Sequence, residues 1–297
     1  MKAYIHYLYV ILAAACWGVI GLFNRILGEL GVGVLQRVTI RNFGALVVLT
    51  VVFALTRREV FRVKLRHLPL FLGSGLVSVL GLSIVYFQCQ MECSLAVAGI
   101  LLYLAPSFVV LMSAALWKAP ITRRKVAALV LALVGCGLVS GLVGCGLVSG
   151  LVGGEVTASP RGLLLGVASG FCYATYTIFS HYTLRHYDSL TMTYWTFVFA
   201  GLGSLVFWDT AAITAVMADG RGIVGALGLA VIATALPYLF YTKGLEGVES
   251  GKASIIANVE PVVGALVGVF VFGEALSLWV ILGIVCVLSG VLLLAKE

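Results

Sequence analysis

The chain reads as an all-α membrane protein: ten transmembrane helices arranged as two inverted five-helix repeats, with both termini in the cytoplasm. Three observations predict this. Hydrophobic residues make up 62% of the 297 positions and charged residues 10%, with a mean hydropathy of +1.13. A soluble domain carries about 25% charged residues, and so few charges could not cover a water-exposed surface. Long uncharged runs succeed one another at the spacing of membrane spans, and motifs of the first half recur in the second at a nearly constant offset. The composition excludes soluble enzymes, nucleic-acid-binding proteins and secreted disulfide scaffolds. The net charge of +7 is a matter of topology and not a nucleic-acid footprint.

Uncharged runs lie at 3–24, 42–56, 68–91, 93–117, 126–154, 162–184, 189–208, 222–242, 261–273 and 275–295. A spanning helix needs about 20 mostly apolar residues, and eight of these runs suffice unaided. The two short ones reach full length when one charge each is taken into the membrane, Arg41 within 34–56 and Glu260 within 251–272. The first run is long and lacks a small-residue cleavage site, so it reads as a span and not as a cleavable leader. Orientation follows from Lys and Arg in the short loops. With the N-terminus inside, 14 of the 19 basic residues fall in cytoplasmic loops, among them the runs at 57–66 and 123–125. Those runs are read as topology signals. The expected place is a bacterial-type inner membrane.

The halves divide as 1–154 and 155–297. Cys16-Trp17-Gly18 with Phe23-Asn24-Arg25 corresponds to Cys172-Tyr173-Ala174 with Phe179-Ser180-His181 at offset 156; Tyr103-Leu104-Ala105-Pro106 corresponds to Asn258-Val259-Glu260-Pro261, and Gly135 to Gly290, at offset 155. Five spans per half is an odd number, so the second copy must be inverted. Charge agrees: the loops after spans two and four carry nine basic residues, while those after spans seven and nine carry only Arg221. Inverted repeats are a transporter architecture, with the substrate site near the midplane where the repeats meet. Residues 136–144 recur letter for letter at 145–153, which reads as a duplication lengthening the outer end of the fifth span.

These features together resemble the EamA-type transporters of the drug/metabolite transporter superfamily, over nearly the whole chain. The most specific stretch is 253–266, which contains Glu260-Pro261, followed by Gly273-Glu274; Trp17-Gly18 in the first span and Arg41 in the second also match the family pattern. In the first half Ala105 stands in place of the acid before Pro106, and Trp117-Lys118 in place of Gly-Glu. The resemblance implies a secondary transporter working by alternating access, usually an exporter of amino acids, metabolites or drugs. Amino acids or related metabolites are the expected cargo. A multidrug or other metabolite transporter and a facilitative uniporter or channel are the alternatives. The first span has no acid between residues 3 and 24, which disfavours the cation-for-proton mechanism of the related small multidrug exporters.

Glu260 stands halfway along its span, where an ionised acid costs about 2.5–3.5 kcal/mol on insertion scales. Two readings are open: a proton or substrate-amine site, since desolvation favours the protonated form, or a buried acid that locks the bundle. Arg41 enters from the opposite side at a level about 6–7 Å away and is a natural partner; it could also snorkel outward or meet a substrate carboxylate. Pro106 and Pro261 each remove a helix hydrogen bond and free the carbonyl four residues earlier, so both are candidate hinges. Trp17, Tyr86, Gln90, Tyr103, Tyr173, Tyr176, Trp195, Tyr238 and Asn258 join Glu260 and Arg41 as candidate substrate-binding residues. Aromatic rings can stack on a flat or cationic solute, and are equally the residues of interface belts. Tyr103, Tyr173 and Asn258 have repeat counterparts and are the preferred positions.

The seven cysteines include no CxxC pair, the four histidines are scattered, and there is no phosphate-binding Gly-rich loop or zinc motif. The expectation is therefore no cofactor, no metal and no catalytic set. Expected partners are a small-molecule solute, the lipid bilayer and protons as a coupling ion, with no nucleic acid; the chain is expected as a monomer or homodimer.

Overall fold

The computed structural model describes residues 2–93, 95–139, 159–273 and 277–295. Among these the chain is helical throughout, with no β-strand. Eight helices are long and apolar enough to cross a membrane: α1 (Tyr4–Glu29), α2 (Val34–Thr56), α3 (Leu65–Glu92), α4 (Val97–Trp117), α6 (Pro160–Thr183), α7 (Ser189–Phe207), α8 (Gly220–Leu245) and α9 (Ser250–Phe272). Two shorter helices are also described, α5 (Arg123–Val139) and α10 (Leu278–Ala295). A nine-residue helix, Thr210–Ala218, lies between α7 and α8. Most of the duplicated segment, the boundary between the halves, and Glu274 lie outside the described residues.

Contacts group the chain into two compact units, and neither is a sequence half. The first holds Met1–Gly81 and Phe179–Val248, the second Leu82–Ile178 and Glu249–Glu297. Each unit is thus built from both halves, with α3 and α6 contributing to both.

In the first unit α1 packs on α8, and α2 and α3 pack on α7. Wide π-helical turns interrupt α3 at Gly73–Gly81 and α8 at Gly228–Ala235, starting 155 residues apart. Both begin on a glycine because an aromatic ring occupies the space of a Cβ: Phe179 against Gly73 and Phe23 against Gly228. Two residues on from each, Gly75 meets Cβ of Phe199, and Ala230 Cβ meets Gly44 of α2. Thr39 of α2 donates to the Ser204 carbonyl at 2.8 Å, and Ser74 Oγ pairs with Thr196 Oγ1 at 2.7 Å, so the hydroxyls in these seams are satisfied. At the start of α7 the Asp188 carboxylate accepts from Thr191 N–H and Glu246 accepts from Ser189 N–H, meeting two of the backbone donors that a helix start leaves open.

In the second unit α5 crosses α10 with backbone against backbone. A Cβ on Gly135 would lie 2.7 Å from the Gly283 carbonyl oxygen, and one on Gly290 would lie 2.9 Å from that of Ala128. These contacts are reciprocal: a shift of 155 carries Gly135 to Gly290 and Ala128 to Gly283. The pairs Gly75–Phe199 and Ala230–Gly44 exchange in the same way, as do Gly73–Phe179 and Gly228–Phe23 at shifts of 155 and 156. Each of these contacts thus recurs with its partners exchanged between the halves.

Glycines of α6, at 162, 166 and 170, bring this helix onto α3 and α4. Gly162 accommodates Cys93 Sγ, Gly166 accommodates Leu101 and Cys89, and Gly170 lies on the α4 backbone. Small residues spaced by four form one stripe along a helix and allow close approach in a membrane. Buried Lys125, at the start of α5, donates to Glu249 Oε1 and to the Pro120 carbonyl, which ties α5 to the start of α9.

Candidate functional site

The two prolines act at equivalent points. Pro106 lies in the first turn of the second segment of α4, Ala105–Trp117, and Pro261 in that of α9, Glu260–Phe272. Without a proline N–H the regular i→i−4 ladder cannot continue, and the chain tightens just before each proline. Leu104 N–H bonds the Leu101 carbonyl at 3.3 Å; Asn258 N–H bonds Ile255 and Val259 N–H bonds Ile256, at 3.2 and 3.1 Å. Both second segments end on a left-handed residue, Lys118 (φ 57°) and Gly273 (φ 70°). That pairing, 155 apart, sets Lys118 as the counterpart of Gly273.

The break places Glu260 at the first position of a half-helix. The peptide dipoles of that half-helix turn their positive end toward this position. The Tyr173 hydroxyl donates to Glu260 Oε2 at 3.4 Å. Tyr86, Tyr103 and Cys136 lie within electrostatic range of the same carboxyl group, and Gln90 hydrogen-bonds the Tyr86 hydroxyl. Tyr86, Gln90, Tyr103, Tyr173 and Glu260 are all half-buried. Asn258 is buried at the break itself, and its amide nitrogen has no hydrogen-bond partner among the described residues. Unsatisfied buried amides are rare and call for an explanation. The second unit therefore assembles a carboxyl group, three phenol hydroxyls and two amides around one broken helix. Phenols and carboxyl can exchange protons or hydrogen-bond a polar solute, and the ring faces can pack on an apolar one.

Of the other expected residues, Tyr176 belongs to this unit but is 1% exposed, enclosed by packing. Trp17, Trp195 and Tyr238 lie in the first unit. Trp17 packs edge-on to Tyr238 and tilted to Tyr241, each at 5.4 Å, and Phe197 meets Tyr238 at 5.1 Å. Trp195 donates its indole N–H to the Val60 carbonyl at 3.0 Å, which holds the loop after α2. Arg41 is half-buried on α2 in the first unit, while Glu260 belongs to the second.

Two residues of this unit were not among the expected site residues, Cys136 near the carboxyl group and Gly170 against the break in α4. Cys136 carries no motif that would have marked it. Gly170 did have a signal, the spacing of four in Gly162, Gly166 and Gly170: a Cβ there would lie 2.7 Å from the Leu101 carbonyl and 3.3 Å from that of Leu102, so α6 rests on the broken backbone of α4.

Comparisons with known proteins agree with this architecture. The EamA-like transporter family matches residues 4–141 and again 160–296. An uncharacterized transporter of Archaeoglobus fulgidus is 29% identical over 214 residues, 71% of each chain. The uncharacterized inner membrane transporter YicL of Salmonella typhimurium is 27% identical over 223 residues, 75% of this chain and 71% of its own. The uncharacterized transporter YwfM of Bacillus subtilis is 28% identical over 169 residues, 57% of this chain and 53% of its own. One crystal structure superimposes with a TM-score of 0.73 at 19% identity, covering 98% of this chain and 96% of that one, a likeness of fold. With its sequence matched twice by one family and its helices long enough to span a bilayer, the chain is a multi-pass membrane protein and belongs to the EamA-like transporter family.

Proposed function

We propose that the chain is a secondary transporter that moves small organic solutes by alternating access between inverted repeats, and that its cargo is an amino acid or a related metabolite carried outward. The observation that carries this reading is the broken helix α9, which sets Glu260 at the start of a half-helix, hydrogen-bonded by Tyr173 and within electrostatic range of Tyr86 and Tyr103. In transporters of repeat architecture, discontinuous helices supply backbone donors and charge to a midplane site. Support for the inverted arrangement comes from the contacts of Gly73, Gly75 and Gly135, which their counterparts in the second half repeat with the partners exchanged. An odd span count then turns the two-fold axis into the membrane plane. Glu260 is the group assigned to proton coupling, and the phenols and Asn258 to the solute.

The test is reconstitution of the purified chain into proteoliposomes, with uptake and counterflow of an amino-acid and metabolite panel measured with and without an imposed pH gradient. Saturable counterflow, together with net uptake that a pH gradient accelerates, supports the proposal. A continuous ohmic conductance, or no solute movement together with hydrolytic turnover, defeats it.

A further inference from the structure

The loop between α2 and α3 is short, basic and held in place. Its eight residues, 57–64, join two membrane-crossing helices, so its side chains stay at the level of lipid headgroups. Loop and α3 start carry Arg57, Arg58, Arg62, Lys64 and Arg66. The neighbouring acids are engaged: Glu59 pairs with Arg57 at 3.3 Å, and Asp188 caps α7 through Thr191 N–H at 2.9 Å. Arg62, Lys64 and Arg66 are exposed, and among the described residues the Arg62 and Lys64 side chains have no ion-pair partner.

Anchors fix the loop from beneath. Val60 is buried, and its carbonyl accepts from the Trp195 indole at 3.0 Å. Lys64 N–H donates to the Tyr187 hydroxyl oxygen at 2.9 Å. Arg66 Nε–H donates to His67 Nε2 at 3.2 Å, which puts the imidazole proton on Nδ1, and Nδ1–H reaches the same Tyr187 oxygen at 2.9 Å. Within this basic surface Leu65 is 82% exposed, and Leu55, in the last turn of α2, is 81% exposed. A free phosphate or an acidic protein segment has no use for bare leucines between cations. A phospholipid does, since its phosphate meets the charges and its acyl chains take up the leucines.

We propose that this loop is a binding site for an anionic phospholipid, with Arg62, Lys64 and Arg66 on the headgroup and Leu65 against the acyl layer. The full-length chain, reconstituted in phosphatidylcholine nanodiscs doped with phosphatidylglycerol, tests it by native mass spectrometry of the lipids retained after release into detergent. Phosphatidylglycerol is expected to be retained in preference to phosphatidylcholine. At about 1 kcal/mol per basic residue near the surface, the double variant Arg62→Gln/Lys64→Gln should weaken retention on the order of 30-fold. Leu65→Ser, with every charge intact, should weaken it as well, and Arg123→Gln/Arg124→Gln in the other basic run should leave it unchanged. Retention of phosphatidylglycerol by the Arg62→Gln/Lys64→Gln and Leu65→Ser variants equal to that of the unmodified chain overturns the proposal. So does displacement of the lipid by excess inorganic phosphate.

Discussion

Gly170 is where one methyl group should decide whether α6 can rest on the break in α4. Gly170→Ala adds a Cβ 2.7 Å from the Leu101 carbonyl oxygen, 3.3 Å from that of Leu102 and 3.5 Å from Ala105 N. All three are backbone atoms of a kinked helix, so no side chain can swing aside. Reaching the 3.4 Å of an ordinary contact means separating the two helices by about 0.7 Å at this point. Forcing an extra carbon into a packed interior costs about 1–3 kcal/mol, which corresponds to a melting temperature lower by roughly 2–12 °C on the scale of domains of about 150–250 residues. The control is Gly21→Ala on α1, where a Cβ meets nothing within 4 Å; there the loss of glycine flexibility should leave stability equal or raise it by about 0.5–1 kcal/mol. Thermal unfolding of both variants in the same detergent is the assay, with uptake by the same preparations alongside. Because the contact supports the break next to Tyr103, Gly170→Ala should also slow transport. If Gly170→Ala melts at or above Gly21→Ala, the backbone contact is not what seats α6.

Lys118 closes α4 in a left-handed conformation that its counterpart Gly273 adopts as a glycine, so Lys118→Gly should stabilise the chain by about 1 kcal/mol in denaturant titrations, with Lys118→Ala giving no such gain. Glu260→Gln should abolish the response of transport to an imposed pH gradient while counterflow survives. Tyr173→Phe, which removes the hydroxyl donated to that carboxyl group, should shift the pH response without abolishing it, and Tyr103→Ala and Asn258→Ala should lower transport at normal protein abundance. In the loop after α8, burial raises the Glu246 carboxyl, but hydrogen bonds from the Lys243 ammonium and from Ser189 outweigh it and hold the group below the usual carboxylate range. A lowered folded-state value means that its stabilising contribution is present above the unfolded value of about 4.3 and is lost as pH falls through the lowered one. Glu246→Gln should flatten that acid limb in melting temperatures measured against pH.

Much of this protein is legible along the chain because the bilayer imposes one rule on every span: backbone polar groups must bond within the segment. Apolar runs therefore became helices where the charges left room. Pro106 and Pro261 marked the breaks in α4 and α9 because a missing N–H is a local property. The 155-residue offset also survives folding, since equivalent sequences adopt equivalent turns, and the two π-helical stretches and the two left-handed helix ends fall on it.

What the sequence could not convey is which residues distant along the chain come together. The compact units mix the two halves, Met1–Gly81 with Phe179–Val248 and Leu82–Ile178 with Glu249–Glu297, because contacts form through space between helices whose compositions are nearly alike. Of the eleven site candidates the sequence preferred only Tyr103, Tyr173 and Asn258, on their repeat counterparts, and packing sorted the rest. Trp17 and Tyr238 pack in one aromatic cluster of the first unit, Tyr176 is enclosed, and Tyr86, Tyr103 and Tyr173 gather about Glu260. A tyrosine in a span has the same hydropathy whether it faces lipid, a neighbouring helix or a carboxyl group. The choice is made by the helix packing against it, and at α6 that packing depends on glycines such as Gly170, whose lack of a side chain lets the backbones meet.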